Sequence, residues 1–60
     1  MDRATAVWEL PVPYAVAVRL RDGGSDDLTI ATALAIDIDE VTGFLEIADA
    51  KLAALIEDPS

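Results

Sequence analysis

Carboxylates are the most numerous side chains of this sequence that could do chemistry. The 60 residues include twelve acidic and four basic residues, and neither histidine nor cysteine occurs. Without histidine the chain lacks the commonest general base and metal ligand, and without cysteine it lacks thiolate chemistry. Two acidic groups have the residue types for metal binding or proton transfer: Asp26 with Asp27, and Asp37 with Asp39 and Glu40.

Structural roles explain both acidic groups better than catalysis does. Asp26 and Asp27 follow Ser25 at the start of a predicted helix, where the helix dipole favours negative charge. The group at 37–40 lacks the glycine and the ligand spacing of a calcium-binding loop. Ser25 has no histidine or nearby lysine to activate it as a nucleophile. We therefore expect no catalytic residue, no cofactor and no metal ion, and the chain is not expected to be an enzyme.

The composition is typical of a small folded protein with a strong negative charge. Apolar residues make up 53% of the chain, the formal net charge is −8 and the pI is about 4.1. This length predicts one domain over residues 1–60. The charge disfavours nucleic acid and anionic membranes as partners. No uncharged run is longer than the nine residues of 10–18, which are too few for a membrane helix, and the N-terminus does not resemble a signal peptide, so we expect a cytoplasmic protein.

Residues 37–57 have the clearest apolar periodicity of an α-helix. Their apolar side chains recur at alternating spacings of four and three, which places them along one stripe of a helix. These residues are Val41, Leu45, Ala48, Leu52 and Leu55. Asp37 and Glu40 have the spacing of a capping box, which predicts that the helix begins there.

A shorter helix is predicted over residues 25–35, after two glycines. Ser25 is the predicted N-cap of this helix. Its predicted buried face consists of Leu28, Ala31 and Leu34, with Ile30 beside them. The turn before Asp37 has the length of the turn in a helix-turn-helix.

The segment 11–21 fits either a strand or a helix. Its apolar residues alternate with period two, as in a strand, but prolines at 11 and 13 also suit the first turn of a helix. No second strand-like run exists, and a lone strand cannot pair its backbone groups, so we favour a helix. Residues 5–10 predict a further short helix, on which Trp8 either fills the core or anchors a partner.

A series of short motifs runs through most of the chain. In order, it has a Leu-Pro opening, a helix ending in Leu-Arg, a glycine, an Ile-Ala-x-x-Leu helix, a turn and a closing Ala-x-x-Lys-Leu. The residues concerned are Leu10, Pro11, Leu20, Arg21, Gly24, Ile30, Ala31, Leu34, Ile36, Val41, Ala48, Lys51 and Leu52. This series resembles the fourth conserved region of bacterial RNA polymerase sigma factors, a promoter-reading domain.

The resemblance covers about residues 10–56 and implies a fold. It implies an all-α bundle of three or four helices that contains a helix-turn-helix from residue 25 to about 57. Activator domains of the luminescence-regulator type share much of the same core and stay an alternative. Because the matching positions are mostly core positions, the resemblance speaks more to fold than to activity.

The last predicted helix departs from the family where DNA would be read. In the family this helix lies in the major groove and carries basic and hydroxyl side chains outward, but here residues 37–51 hold five acids and one lysine. The outward positions are Thr42, Gly43, Glu46 and Asp49, of which only Thr42 keeps a type compatible with DNA. The two acids would repel phosphates. Ala35 also replaces a glycine that is common in the family's turn, which predicts a change in turn geometry.

The favoured hypothesis is a sigma-like helix-turn-helix module that acts in transcription through protein contacts. Phe44 and Ile47 lie three residues apart on one helix face and, if both are exposed, form an apolar strip rimmed by Glu46 and Asp49; for Phe44 a place in the core is an equal alternative. These four residues form the predicted partner-binding face. The expected partner is RNA polymerase, a sigma or anti-sigma protein, or a second copy of the chain in a homodimer.

Two alternatives keep other functions open. One is a sequence-specific DNA-binding regulator that reads bases through Thr42, Gly43 and Glu46, since glutamate can accept a hydrogen bond from cytosine. The other is an acidic mimic of DNA that occupies the basic groove of another protein. Salt-dependent binding to duplex DNA distinguishes the first alternative from the favoured hypothesis.

Overall fold

A computed structural model describes residues 1–57, which form four α-helices and no β-strand within that range. The helices are α1 (Arg3–Glu9), α2 (Val12–Asp22), α3 (Asp27–Leu34) and α4 (Val41–Ile56), with a 3-10 helix (Ile38–Glu40) between α3 and α4. The prediction of an all-α fold is confirmed, whereas the helix-turn-helix assignment of α3 and α4 stays a prediction. Residues 58–60 of the predicted domain lie outside the described range.

The ambiguous segment 11–21 is helical. Pro11 is the N-cap of α2 and Pro13 lies in its first turn, where a missing N–H group breaks no intrahelical hydrogen bond. Ala17 and Val18 are fully buried on one face of α2. Two consecutive residues, Ala17 and Val18, are both buried in the core, which suits one face of a helix but not a strand, where consecutive side chains point to opposite faces. Among the described helices, none is long and apolar enough to cross a membrane.

Helix α3 begins one residue later than the predicted N-cap implies, because its N-cap is Asp26 rather than Ser25. The Asp26 carboxylate accepts a hydrogen bond of 2.9 Å from the backbone N–H of Thr29. That bond lowers the pKa of the Asp26 carboxyl group. Ser25, the predicted N-cap, instead donates its backbone N–H to the carbonyl of Leu20 over 3.0 Å. Ser25 thus closes the end of α2, and the prediction of its capping role was wrong.

The capping box predicted at Asp37 and Glu40 is not formed. Neither side chain makes a capping hydrogen bond, and the two residues are joined by a backbone bond of 2.9 Å from the Glu40 N–H to the Asp37 carbonyl. Residues 38–40 form the tighter 3-10 helix, and α4 begins only at Val41. Asp37 and Glu40 thus lie just before α4, as predicted, but they do not make the two side-chain hydrogen bonds that define a capping box.

The core consists of two clusters that α4 connects. The first contains Ala6, Val7, Leu10, Val18, Ala48 and Leu52. The second contains Ala17, Ile30, Ala31 and Val41. The stripe predicted on α4 is confirmed, since three of its residues are buried and Leu45 and Leu55 are half-buried. Alanines with no exposed surface lie where α1, α2 and α4 meet, which allows the helix axes to approach closely.

The buried face of α3 differs from the predicted one at Leu28. Ile30 is 1% exposed and Ala31 is buried, but Leu28 is 62% exposed. At about 100° per residue, Ile30, Ala31 and Leu34 lie within one arc of the helix, and Leu28 lies outside it. The predicted face was therefore correct at Ile30, Ala31 and Leu34 and wrong at Leu28.

The turn after α3 holds Ala35 in the left-handed region, with φ 57° and ψ 42°. The Ile36 N–H donates to the Ala31 carbonyl over 3.0 Å, and the Ala35 N–H donates to the Thr32 carbonyl over 3.3 Å. These bonds close the C-terminus of α3 and direct the chain towards the 3-10 helix. An alanine carries a steric cost in this region that glycine does not.

We expect Ala35→Gly to raise the free energy of unfolding by about 1 kcal/mol, because it relieves the left-handed strain. The matched control is Ala33→Gly, which places the same change inside α3 and is expected to lower that free energy by about 1 kcal/mol. Urea titration followed by circular dichroism measures both. Equal losses in the two variants would contradict the assignment of strain to residue 35.

Candidate functional site

The outer face of α4 presents most of the predicted site residues to solvent. Thr42, Gly43, Glu46 and Asp49 are exposed, and Ile47 is 49% exposed. Helix α4 positions these side chains because its opposite stripe is held in both core clusters. The structure thus brings the acidic positions together on one exposed helix, as the periodicity predicted.

Phe44 does not form an exposed strip with Ile47. Its side chain is half-buried and stacks on Tyr14 of α2, with ring centroids 4.6 Å apart and planes 23° from parallel. It also packs against the second core cluster. Residues three apart in a helix differ by about 60° around its axis, so Phe44 and Ile47 are neighbours on the helix surface. Phe44 lies on the core side of this surface and Ile47 on the solvent side. Of the two alternatives for Phe44, the structure therefore favours the core, and the exposed strip with Ile47 is not formed.

Asp49 is joined to the end of α2 by a bidentate ion pair. The Arg21 guanidinium donates two hydrogen bonds of 2.8 Å to the two Asp49 carboxylate oxygens. These bonds lower the pKa of the Asp49 carboxyl group and raise the pKa of Arg21. Because the two side chains are 51% and 33% exposed, the pair contributes at most about 1 kcal/mol to stability.

Among the described residues, the other cations leave Glu46 of α4 unpaired. Within residues 1–57, Glu46 forms no salt bridge, and Lys51 of α4 lies 5.5 Å from the Tyr14 ring. Arg3 donates two hydrogen bonds, of 2.6 and 3.2 Å, to Asp22 and is paired there rather than with an acid of α4. The cation that does reach α4 from another helix, Arg21, is already paired with Asp49.

Trp8 has a position that the sequence reasoning did not predict. It is 68% exposed, and the Arg19 guanidinium lies 4.4 Å from the centroid of its ring system. Of the two alternatives left open for Trp8, a place in the core is wrong, and the role of partner anchor stays a prediction. Its helix α1 buries Ala6 and Val7 against α4, and this leaves the indole on the outer side. No spacing rule within one helix could have found this contact, because Trp8 and Arg19 belong to different helices.

No group of three or more carboxylates within residues 1–57 is arranged to hold a metal ion. The two acidic groups instead lie at helix starts, where Asp26 caps α3 and residues 38–40 lead into α4. In comparisons with known proteins, no family model, no curated protein and no solved structure matches the chain. The relation to sigma factors therefore stays a resemblance carried by the residues named above.

Proposed function

We propose that this chain is a helix-turn-helix module of the sigma region-four type that acts in transcription through protein contacts. The observation that carries the proposal is the charge of α4 and the residues before it. Asp39, Glu40 and Glu46 are exposed there, and none of them forms a salt bridge within the described residues. The motifs shared with sigma factors support the transcriptional setting.

This charge opposes the insertion of α4 into a DNA groove. A helix in the major groove lies between two rows of phosphates, and its contacts there are made by cations and by polar donors. On α4 the exposed carboxylate of Glu46 would face those phosphates, and the guanidinium of Arg21 is occupied by Asp49. Repulsion between the Glu46 carboxylate and a phosphate raises the free energy of a complex with DNA, whereas a lysine or arginine at that position would lower it.

The surface best suited to a protein partner centres on Ile47. This side chain is about half-exposed on α4 and lies next to Glu46. An exposed aliphatic residue rimmed by carboxylates is complementary to an apolar socket surrounded by lysine or arginine. RNA polymerase, a sigma or anti-sigma protein and a second copy of the chain are the partner classes to test.

The first test is a titration of fluorescently labelled duplex DNA at about 50 mM salt, read by anisotropy. We expect no binding by the wild-type chain. Binding that weakens steeply as salt is added would overturn the proposal and support the DNA-binding alternative. Glu46→Lys with Asp39→Lys serves as the positive control, because it places cations where the wild-type chain has acids.

The second test measures binding to purified bacterial RNA polymerase, with and without its sigma factor, and to the chain itself by sedimentation. We expect Ile47→Ser to weaken one of these complexes about tenfold. Leu28→Ser is the matched control, because Leu28 is similarly exposed but lies on α3. A complex that responds to salt but not to Ile47→Ser would favour the DNA-mimic alternative instead. Absence of every complex would overturn the proposal.

A further inference from the structure

A second surface lies between α1 and α2, where the structure forms an open groove of about 300 Å³. Arg3, Ala4, Val7 and Trp8 contribute from α1, and Arg19 and Asp22 contribute from α2. None of these residues belongs to the 3-10 helix or to α4. The groove is therefore separate from the surface proposed above, and its function can be tested independently.

The groove combines a large exposed aromatic ring with an apolar floor. Trp8 leaves 68% of its surface exposed, while the neighbouring Val7 is almost fully buried in the first core cluster. A tryptophan offers more contact area than any other side chain and is enriched where partners bind most tightly. The Arg19 guanidinium, at 4.4 Å, holds one side of the ring and orients it.

The charges around the groove differ in sign from those of the whole chain. Arg3 and Asp22 neutralise each other through their ion pair. Arg19 forms no salt bridge within residues 1–57, although the chain as a whole carries a net charge of −8. The planar donors of Arg19 are therefore available to an anion beside an exposed indole.

We infer that this groove binds an acidic peptide segment of a partner protein. One carboxylate of the segment accepts hydrogen bonds from Arg19, and an adjacent apolar side chain packs on Trp8 and Val7. A single uncompensated cation suits one carboxylate, whereas a nucleic acid strand needs a row of cations along its phosphates. A basic segment would meet the uncompensated charge of Arg19 and be repelled.

Tryptophan fluorescence tests this directly, because Trp8 is the only tryptophan in the chain. The probe is a capped peptide of glutamate and alanine with one central leucine, and the control peptide replaces each glutamate with glutamine. We expect the acidic peptide to change Trp8 emission in a saturable manner, and the glutamine peptide to bind at least about tenfold more weakly, because it cannot form the charge-assisted hydrogen bond with Arg19.

Charge variants separate a site at Arg19 from general electrostatics. Arg19→Gln is expected to weaken acidic-peptide binding about tenfold, while Lys51→Gln, which removes the same charge from α4, leaves it unchanged. Circular dichroism checks that both variants are folded. Equal weakening by the two variants, equal binding of the two peptides, or binding of a single-stranded oligonucleotide in place of the acidic peptide would overturn the inference.

Discussion

Replacing Ile30 with alanine is expected to lower the free energy of unfolding by about 3 kcal/mol. Ile30 is 1% exposed and is among the largest fully buried side chains of the described residues. It lies between α2 and α4, in a cluster with Ala17, Ala31 and Val41. Two of these neighbours are alanines, which cannot move into the space that the shorter side chain leaves. At roughly 0.05–0.15 kcal/mol per residue, a chain of this length loses a large share of its stability.

The control for this prediction is Leu28→Ala on the same helix. Leu28 is 62% exposed, so its truncation is expected to change stability by no more than about 0.5 kcal/mol. Urea unfolding with a common slope measures both variants. A larger loss at Leu28 than at Ile30 would show that α3 packs with the face that the spacing rule alone predicts.

Replacing Phe44 with alanine is expected to lower the free energy of unfolding by about 2 kcal/mol. The value is below that for a fully buried phenylalanine because the side chain is half-buried. The loss includes the stacked contact with Tyr14, which joins α4 to α2. Phe44→Leu keeps most of the buried area and is expected to lose only the aromatic part, about 1 kcal/mol.

Ile47→Ala is the matched control for Phe44, because it lies on the same helix and is 49% exposed. We expect Ile47→Ala to lower the free energy of unfolding by no more than about 0.5–1 kcal/mol. Thermal and urea unfolding distinguish the two outcomes. If Ile47→Ala destabilised the chain as much as Phe44→Ala, the two residues would both belong to the core and Ile47 would not be a docking residue.

Because Phe44 is packed in the core and Ile47 is exposed, of the two only a variant at Ile47 tests partner binding with little change in stability. A change at Phe44 removes a core contact, so a loss of binding would report unfolding as well as a lost partner contact. A change at Ile47 alters the exposed surface of α4 and leaves the stack on Tyr14 in place. The same reasoning favours Glu46 over Asp49 for charge variants, because Asp49 is bonded to Arg21.

Local patterns predicted the helices well and their ends poorly. The stripe on α4 was correct because five apolar positions over four turns define a face with little freedom. The caps were wrong at Ser25 and at the Asp37–Glu40 pair. At the start of α3 two neighbouring polar residues could accept the same orphan N–H group, and Asp26 rather than Ser25 accepts the Thr29 N–H. Before α4 the chain forms a 3-10 helix over residues 38–40, and no side chain caps it.

The sequence by itself determined that the chain is helical, roughly which segments form its helices, and that residues 37–49 are rich in acids. These properties depend on periodicity, on the prolines and glycines, and on residue charge, all of which act over a few positions. Only the tertiary structure decided which side chains meet: Tyr14 with Phe44, Arg21 with Asp49 and Arg19 with Trp8. Each pair joins different helices, and its geometry depends on how those helices cross, which the small alanines of the core allow but no local pattern specifies.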